Sequence, residues 1–272
     1  MSVQASGQGS INTATLRGMK RDAVPIAALT AYDYTFATLL DKQGVDVVLV
    51  GDSLGMVIQG HDTTVPVTMD DMIYHTRLVS RGVDRALLMM DLPFMSYSDP
   101  EKALDNAARA LQEGNAHMVK LEGGSGQLDV VSTLAGHGIP VCAHIGLKPQ
   151  SIFKLGSYRV QGREADAAAA MMEEASALED AGADIILLEC VPATLAEQIT
   201  GNISVPVIGI GAGSHCDGQI LVLQDLLGIT AGKAPIFSKN FMADAGDIPS
   251  AIGKYVKAVK NRSFPAAQHC FE

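Results

Sequence analysis

GVDVVLVGDSLGM, residues 44–56, opens with a glycine, runs through four consecutive apolar residues (47–50) and ends on Asp52 and Ser53. A strand that is apolar on both faces has to be covered on both, which is the habit of parallel sheets flanked by helices. The same kind of run recurs as IAAL (26–29), ALLMM (86–90), HMVKL (117–121), PVCAHI (140–145), IILLE (185–189), PVIGI (206–210) and, less clearly, ILVL (220–223). Between most of them lie helix-like segments. The clearest are PEKALDNAARALQE (100–113), with Asp99 to cap it and Pro100 in its first turn, and EADAAAAMMEEASALEDA (164–181). Gly44, Gly82, Gly114, Gly138 and Gly182 each stand just before the next strand, where a left-handed residue closes a helix. Eight alternating units predict a closed (β/α)8 barrel. The rival, an open doubly wound sheet, normally carries a nucleotide-binding glycine fingerprint in its first turn, and the first turn here reads LTAYDYTF (29–36).

The 272 residues, 47% hydrophobic, are expected to form a single barrel domain, 1–272. Within it, 1–24 make an N-terminal arm and helix at the barrel bottom, and 248–272 a C-terminal helix and tail. Net charge is −10 and the basic residues form no run, which argues against a grip on nucleic acid or an anionic membrane. The expected partners are small molecules and copies of the chain itself. No apolar stretch reaches about 18 residues, and the polar start MSVQASGQGSI lacks the pattern of a secretory leader, so a cytoplasmic location is expected. Cys142, Cys190, Cys216 and Cys270 have no metal-binding or disulfide spacing and read as reduced, mostly buried thiols.

Barrels of this class build their sites at the C-terminal ends of the strands. The last polar residue of each run is Asp52, Asp91, Glu122, His144 and Glu189, and Lys120 shares a strand face with Glu122. Two carboxylates about 5 Å apart at an effective dielectric near 20 repel by roughly 3 kcal/mol. A hard divalent cation removes that penalty, and an oxygen donor set points to Mg²⁺, with Mn²⁺ as the alternative. Asp52, Asp91 and Glu122 with such a cation and Lys120 sum to zero charge, leaving Glu189 as a free carboxylate suited to a general base. Plainer readings stand beside these. An acid at a strand end also caps helices, Lys120 also serves as a salt-bridge partner, and Ser53 also serves in a turn. His144 reads equally as a buried hydrogen-bonded side chain or a substrate contact. GIGAG (209–213) reads as a phosphate loop or a plain glycine turn, and the basic stretch 148–163 equally as a lid or substrate loop or as a subunit contact.

Taken together, TAYDYTFA (30–37), LVGDSLGMVIQGHDTT (49–64), DLPFMSY (91–97), MVKLEGG (118–124), AHIGLKPQS (143–151), LLECVP (187–192) and GIGAGSHCDGQILV (209–222) resemble the ketopantoate hydroxymethyltransferase family over about residues 12–265. The resemblance implies a barrel of the phosphoenolpyruvate/pyruvate superfamily with one Mg²⁺ per subunit and a homodecameric assembly. It implies transfer of a hydroxymethyl group from 5,10-methylenetetrahydrofolate to 3-methyl-2-oxobutanoate through an enolate, in pantothenate synthesis. By resemblance, Asp52 and Asp91 bind the metal and Glu122 completes its shell. Asp52, Ser53, Asp91, Lys120 and His144 face the keto acid, and Glu189 accepts the proton. A carbon–carbon lyase of the same superfamily would carry a Lys-Lys-Cys-Gly-His type loop, which the sequence lacks. A non-catalytic ligand-binding barrel would not need Glu189.

Overall fold

A computed structural model describes residues 9–272, so the arm before Gly9 lies outside the described residues. Eight parallel strands close into a barrel in chain order: β1 Ile26–Thr30, β2 Val47–Val50, β3 Leu87–Asp91, β4 Met118–Glu122, β5 Val141–Gly146, β6 Ile185–Glu189, β7 Val207–Ile210 and β8 Gly218–Leu221. The ring shuts where Ile26 pairs with Gly218. Nearly every strand residue is buried, as the double-sided apolar runs require.

The helices follow their caps. Pro100–Gln112 begins behind Asp99, whose side chain accepts from the Lys102 N–H at 2.9 Å, and 164–181 folds as Ala165–Asp180. Thr13–Arg21 covers the barrel bottom, where Lys20 reaches Asp217 at 2.8 Å and the Thr200 carbonyl at 2.9 Å. Ile248–Lys260 packs on the outside, and its buried Tyr255 hydroxyl lies 2.9 Å from both the Ala28 and Gln219 carbonyls, spanning the β1–β8 seam. Among the described residues no helix is long and apolar enough to cross a membrane.

Two expectations need correction. The eighth strand lies two residues earlier than ILVL, because Gly218 must pass directly over Ile26: a Cβ there would sit 2.6 Å from the Ile26 carbonyl oxygen. Of the five glycines before strands, Gly44, Gly138 and Gly182 take positive φ, but Gly82 and Gly114 do not. Those two are needed for close approach instead, since a Cβ would come within 2.7 Å of the Tyr34 carbonyl and 2.6 Å of the Ala110 carbonyl.

At the bottom, Asp46 is 4% exposed. Its carboxylate accepts from the Ala27 N–H at 2.9 Å, from Lys260, and from the Arg85 guanidinium at 3.3 Å. Removing Asp46 leaves the buried Ala27 N–H without its acceptor, while the Arg85 and Lys260 side chains, about a third exposed, can turn to water. Asp46→Ala is therefore expected to lower unfolding free energy by about 1–3 kcal/mol in urea titration, and a loss below about 0.5 kcal/mol would show the cluster to be idle.

Candidate functional site

The top of the barrel gathers every residue singled out in the sequence. Asp52 and Ser53 lie just beyond β2, Asp91 ends β3, Lys120 and Glu122 share one face of β4, His144 lies in β5 and Glu189 ends β6. Strand register sets Asp91 beside Lys120 and Glu122 beside His144. All seven line one cavity of about 540 Å³. Its wall also includes Leu49, Leu187 and Ile220, so the polar groups stand in a largely apolar bowl.

The contacts form one chain. Lys120 Nζ is 2.8 Å from Asp91 Oδ1, and the Asp52 backbone N–H donates to Asp91 Oδ2 at 2.9 Å. Lys120 Nζ also approaches His144 Nδ1 at 3.4 Å, while His144 Nε2 lies 3.2 Å from Glu189 Oε2 without the alignment of a hydrogen bond. Ser53 Oγ pairs with the Tyr32 hydroxyl at 2.8 Å.

Burial governs the charges. It lifts Asp52 to about 7, with the Asp91 carboxylate adding to the effect. Glu122 is raised well above the carboxylate range by burial and by Asp52. Burial alone lifts Glu189 to about 7, against the pull of Lys120. For Lys120, burial favours the neutral amine, but Asp91, Glu122 and Asp52 outweigh it and the group is held as an ammonium. Burial and the Lys120 charge keep His144 neutral. With Nδ1 facing an ammonium, the imidazole proton is assigned to Nε2, towards Glu189.

Four carboxyl groups beside one buried ammonium and a neutral imidazole hold on to protons because ionising all of them would leave a buried excess of negative charge, and the donors are all oxygen. That chemistry fits Mg²⁺ or Mn²⁺. The Asp91 Oδ1 atom adds to the fit, being buried with no hydrogen-bonded partner beyond its ion pair with Lys120. Among the described residues no three His, Cys, Asp or Glu side chains stand as a finished metal cage. Mg²⁺ needs none, since one or two carboxylates with water and substrate oxygens satisfy it.

Backbone features shape the rim. Gly146 has φ +91, and a Cβ there would lie 2.8 Å from Val191 Cγ2 and collide with the Glu189 carbonyl oxygen. Cys190, next to the free acid, is a non-glycine at φ +49, held by its N–H to the Ile210 carbonyl at 2.9 Å. The glycine-turn reading of GIGAG has a packing basis: Gly209 lies against Cys216, Gly211 against Phe237 and Phe271, and Gly213 against Ala193. From 148–163, Pro149, Tyr158, Arg159 and Val160 line the cavity, which favours a substrate loop. All four cysteines are free thiols.

Sequence reasoning missed Gln150 and Tyr97. Gln150 is 5% exposed, donates through Nε2 to Asp52 Oδ2 at 2.8 Å, and gives its backbone N–H to Glu122 Oε2 at 3.1 Å. Both lie inside quoted motifs, DLPFMSY and AHIGLKPQS, but a search for charged groups at strand ends passes over neutral side chains in loops.

A family model described as ketopantoate hydroxymethyltransferase matches residues 10–267. A 3-methyl-2-oxobutanoate hydroxymethyltransferase from Alkalilimnicola ehrlichii is 59% identical over 261 residues, covering 96% of this chain and 94% of that protein. The enzyme of the same name from Halorhodospira halophila is 55% identical over 268 residues, covering 98% and 97%. Among solved structures, a phosphonopyruvate hydrolase complex with oxalate and Mg²⁺ superposes with a TM-score of 0.59 at 13% identity, over 77% of this chain and 80% of that one. At that identity the likeness supports the barrel fold alone.

The raised carboxyls fix the sign of a pH effect. Folded Glu189 keeps its proton to about 7 against a usual 4.5, so in that window the native state binds more protons than the unfolded one. Its contribution is intact below about pH 4.5 and is lost as pH rises through about 7. In EDTA, the stability advantage of Glu189→Gln over wild type is expected to grow by on the order of 3 kcal/mol from pH 4.5 to 7.5 in denaturant titrations. A difference that stays flat or shrinks would contradict the raised value.

Proposed function

Because the chain belongs to the ketopantoate hydroxymethyltransferase family, we propose that it adds a hydroxymethyl group to C3 of 3-methyl-2-oxobutanoate, giving ketopantoate for pantothenate synthesis. 5,10-Methylenetetrahydrofolate is the donor in this reading. The observation that carries the proposal is a free acid, Glu189, held proton-hungry near neutrality across one cavity from the Lys120–Asp91 pair.

Asp52, Asp91 and Glu122 would hold Mg²⁺. Bound there, the ion supplies Lewis-acid polarisation of the substrate's carboxylate and 2-oxo oxygens. Glu189, ionised at and above about pH 7, takes the C3 proton. The Lys120 ammonium stabilises the negative charge that moves onto the 2-oxo oxygen. His144, kept neutral with Nε2 3.2 Å from Glu189 Oε2, stands beside that carboxylate without a charge that would weaken it as a base. Ser53, fixed by Tyr32, offers its hydroxyl to the substrate carboxylate. The apolar wall around Leu49 and Ile220 accepts the isopropyl group and excludes bulk water from the carbanionic centre. Water releases the donor's one-carbon unit at the formaldehyde level: both methylene C–N bonds break, the water oxygen stays on the carbon and its two hydrogens go to the two nitrogens of the departing tetrahydrofolate. C3 bonds to that carbon as its C=O bond opens, and the alkoxide formed takes the proton held by Glu189. A cytoplasmic homodecamer belongs to the same reading.

Incubation with Mg²⁺ and 3-methyl-2-oxobutanoate in D₂O, without folate, is expected to exchange the C3 proton by NMR. Glu189→Gln should slow it by about 10²–10⁴-fold, and equal exchange in both proteins would remove Glu189 as the base. Asp91→Asn should raise the Mg²⁺ concentration for half-maximal turnover by about tenfold or more, and an unchanged titration would remove Asp91 from the metal site.

A further inference from the structure

Gln150 touches the ends of three other strands from the loop that follows its own. Its Nε2 donates to Asp52 Oδ2 beyond β2 at 2.8 Å and to the Leu92 carbonyl beyond β3 at 3.0 Å. Its backbone N–H donates to Glu122 Oε2 on β4 at 3.1 Å. Its Oε1 accepts from the Tyr97 hydroxyl, which also lies 3.3 Å from the Glu122 backbone oxygen and nitrogen. This pattern settles which way the amide points. Both amide hydrogens meet acceptors and the amide oxygen meets a donor, whereas the flipped amide would set its oxygen against a carboxylate and a carbonyl.

We propose that Gln150 is a positioning residue for divalent-cation binding, holding one oxygen each of Asp52 and Glu122 so that the other two face the cavity, with Tyr97 fixing Gln150 in turn. The proposal rests on the metal reading of the site given above. Among the described residues, neither Asp52 Oδ1 nor Glu122 Oε1 receives a hydrogen bond; His144 Nδ1 stands 3.7 Å from the latter. A neutral amide suits this task where a lysine would not. It restrains Asp52 through Nε2, with the backbone N–H of the same residue on Glu122, and cancels none of the negative charge that attracts a cation, while Lys120 is already committed to Asp91. Carboxylates that ligate metals are commonly held this way by outer hydrogen bonds, and losing such a partner lowers affinity by 10–100-fold.

Gln150→Met keeps the length and removes every side-chain donor. Tyr97→Phe leaves Gln150 in place but removes the donor to its amide oxygen, so that Nε2 alone holds the amide, and serves as the second variant should the first fail to fold. The readout is Mn²⁺ affinity from the free-ion EPR signal in the absence of substrate, on protein whose circular dichroism and thermal midpoint are also recorded. Gln150→Met is expected to weaken Mn²⁺ about tenfold or more, and Tyr97→Phe in the same direction by less. Affinity within twofold of wild type in either folded variant overturns the proposal, even if the thermal midpoint falls, because a merely structural role predicts that outcome. Wild-type protein that binds no Mn²⁺ overturns both this proposal and the metal reading. Wild-type binding with unchanged variants overturns this proposal alone.

Discussion

Uncompensated negative charge, held where water cannot screen it, organises the upper half of this molecule. Asp52, Asp91, Glu122 and Glu189 share the floor of one apolar bowl with one buried ammonium, Lys120, while Arg159 and Lys233 stand exposed at its rim. Every neighbouring group answers to that imbalance. Lys120 is locked in its charged form, His144 is kept neutral, and Asp52 and Glu189 hold protons to about pH 7. The arrangement is unfavourable in the protein alone. In the proposed reaction it becomes useful when a cation and an anionic chelating substrate enter together, because each would relieve what the other leaves unbalanced.

The contrast between Asp46 and Asp52 shows that the imbalance is local. Both are buried carboxylates at opposite ends of the same four-residue strand. Asp46 is met by Lys260, Arg85 and a backbone N–H, so its burial knits the barrel bottom together. Among the described residues, the Asp52 carboxylate accepts a hydrogen bond only from the neutral Gln150 amide. The barrel thus separates two uses of the same side chain: compensated acids for cohesion below, uncompensated acids for chemistry above.

Much of this was legible from residues alone. Apolar runs without alternation identify buried parallel strands, and seven of the eight lie within a residue of their expected bounds; β8 escaped because glycine's demand for close approach outranks hydropathy at Gly218. The seven polar residues at the cavity were found because strand period and barrel topology together fix where the last side chain of a strand points. Gln150 and Tyr97 were not found. Their importance comes from contacts between segments about 50 residues apart, with Tyr97 meeting Gln150, and no local pattern marks a neutral amide as the meeting point.

Gly146 carries a consequence for redesign. Its bare α-carbon lets the peptide carbonyl of Glu189 nestle against β5, while the Leu147 N–H binds that same carbonyl at 2.8 Å. Under the proposed function, efforts to broaden the scope of accepted keto acids would have room to vary wall residues such as Leu49 and Ile220. The hydrogen at Gly146 is a fixed point for any such library, because the acid's place in space is borrowed from a neighbouring strand that has no side chain to offer.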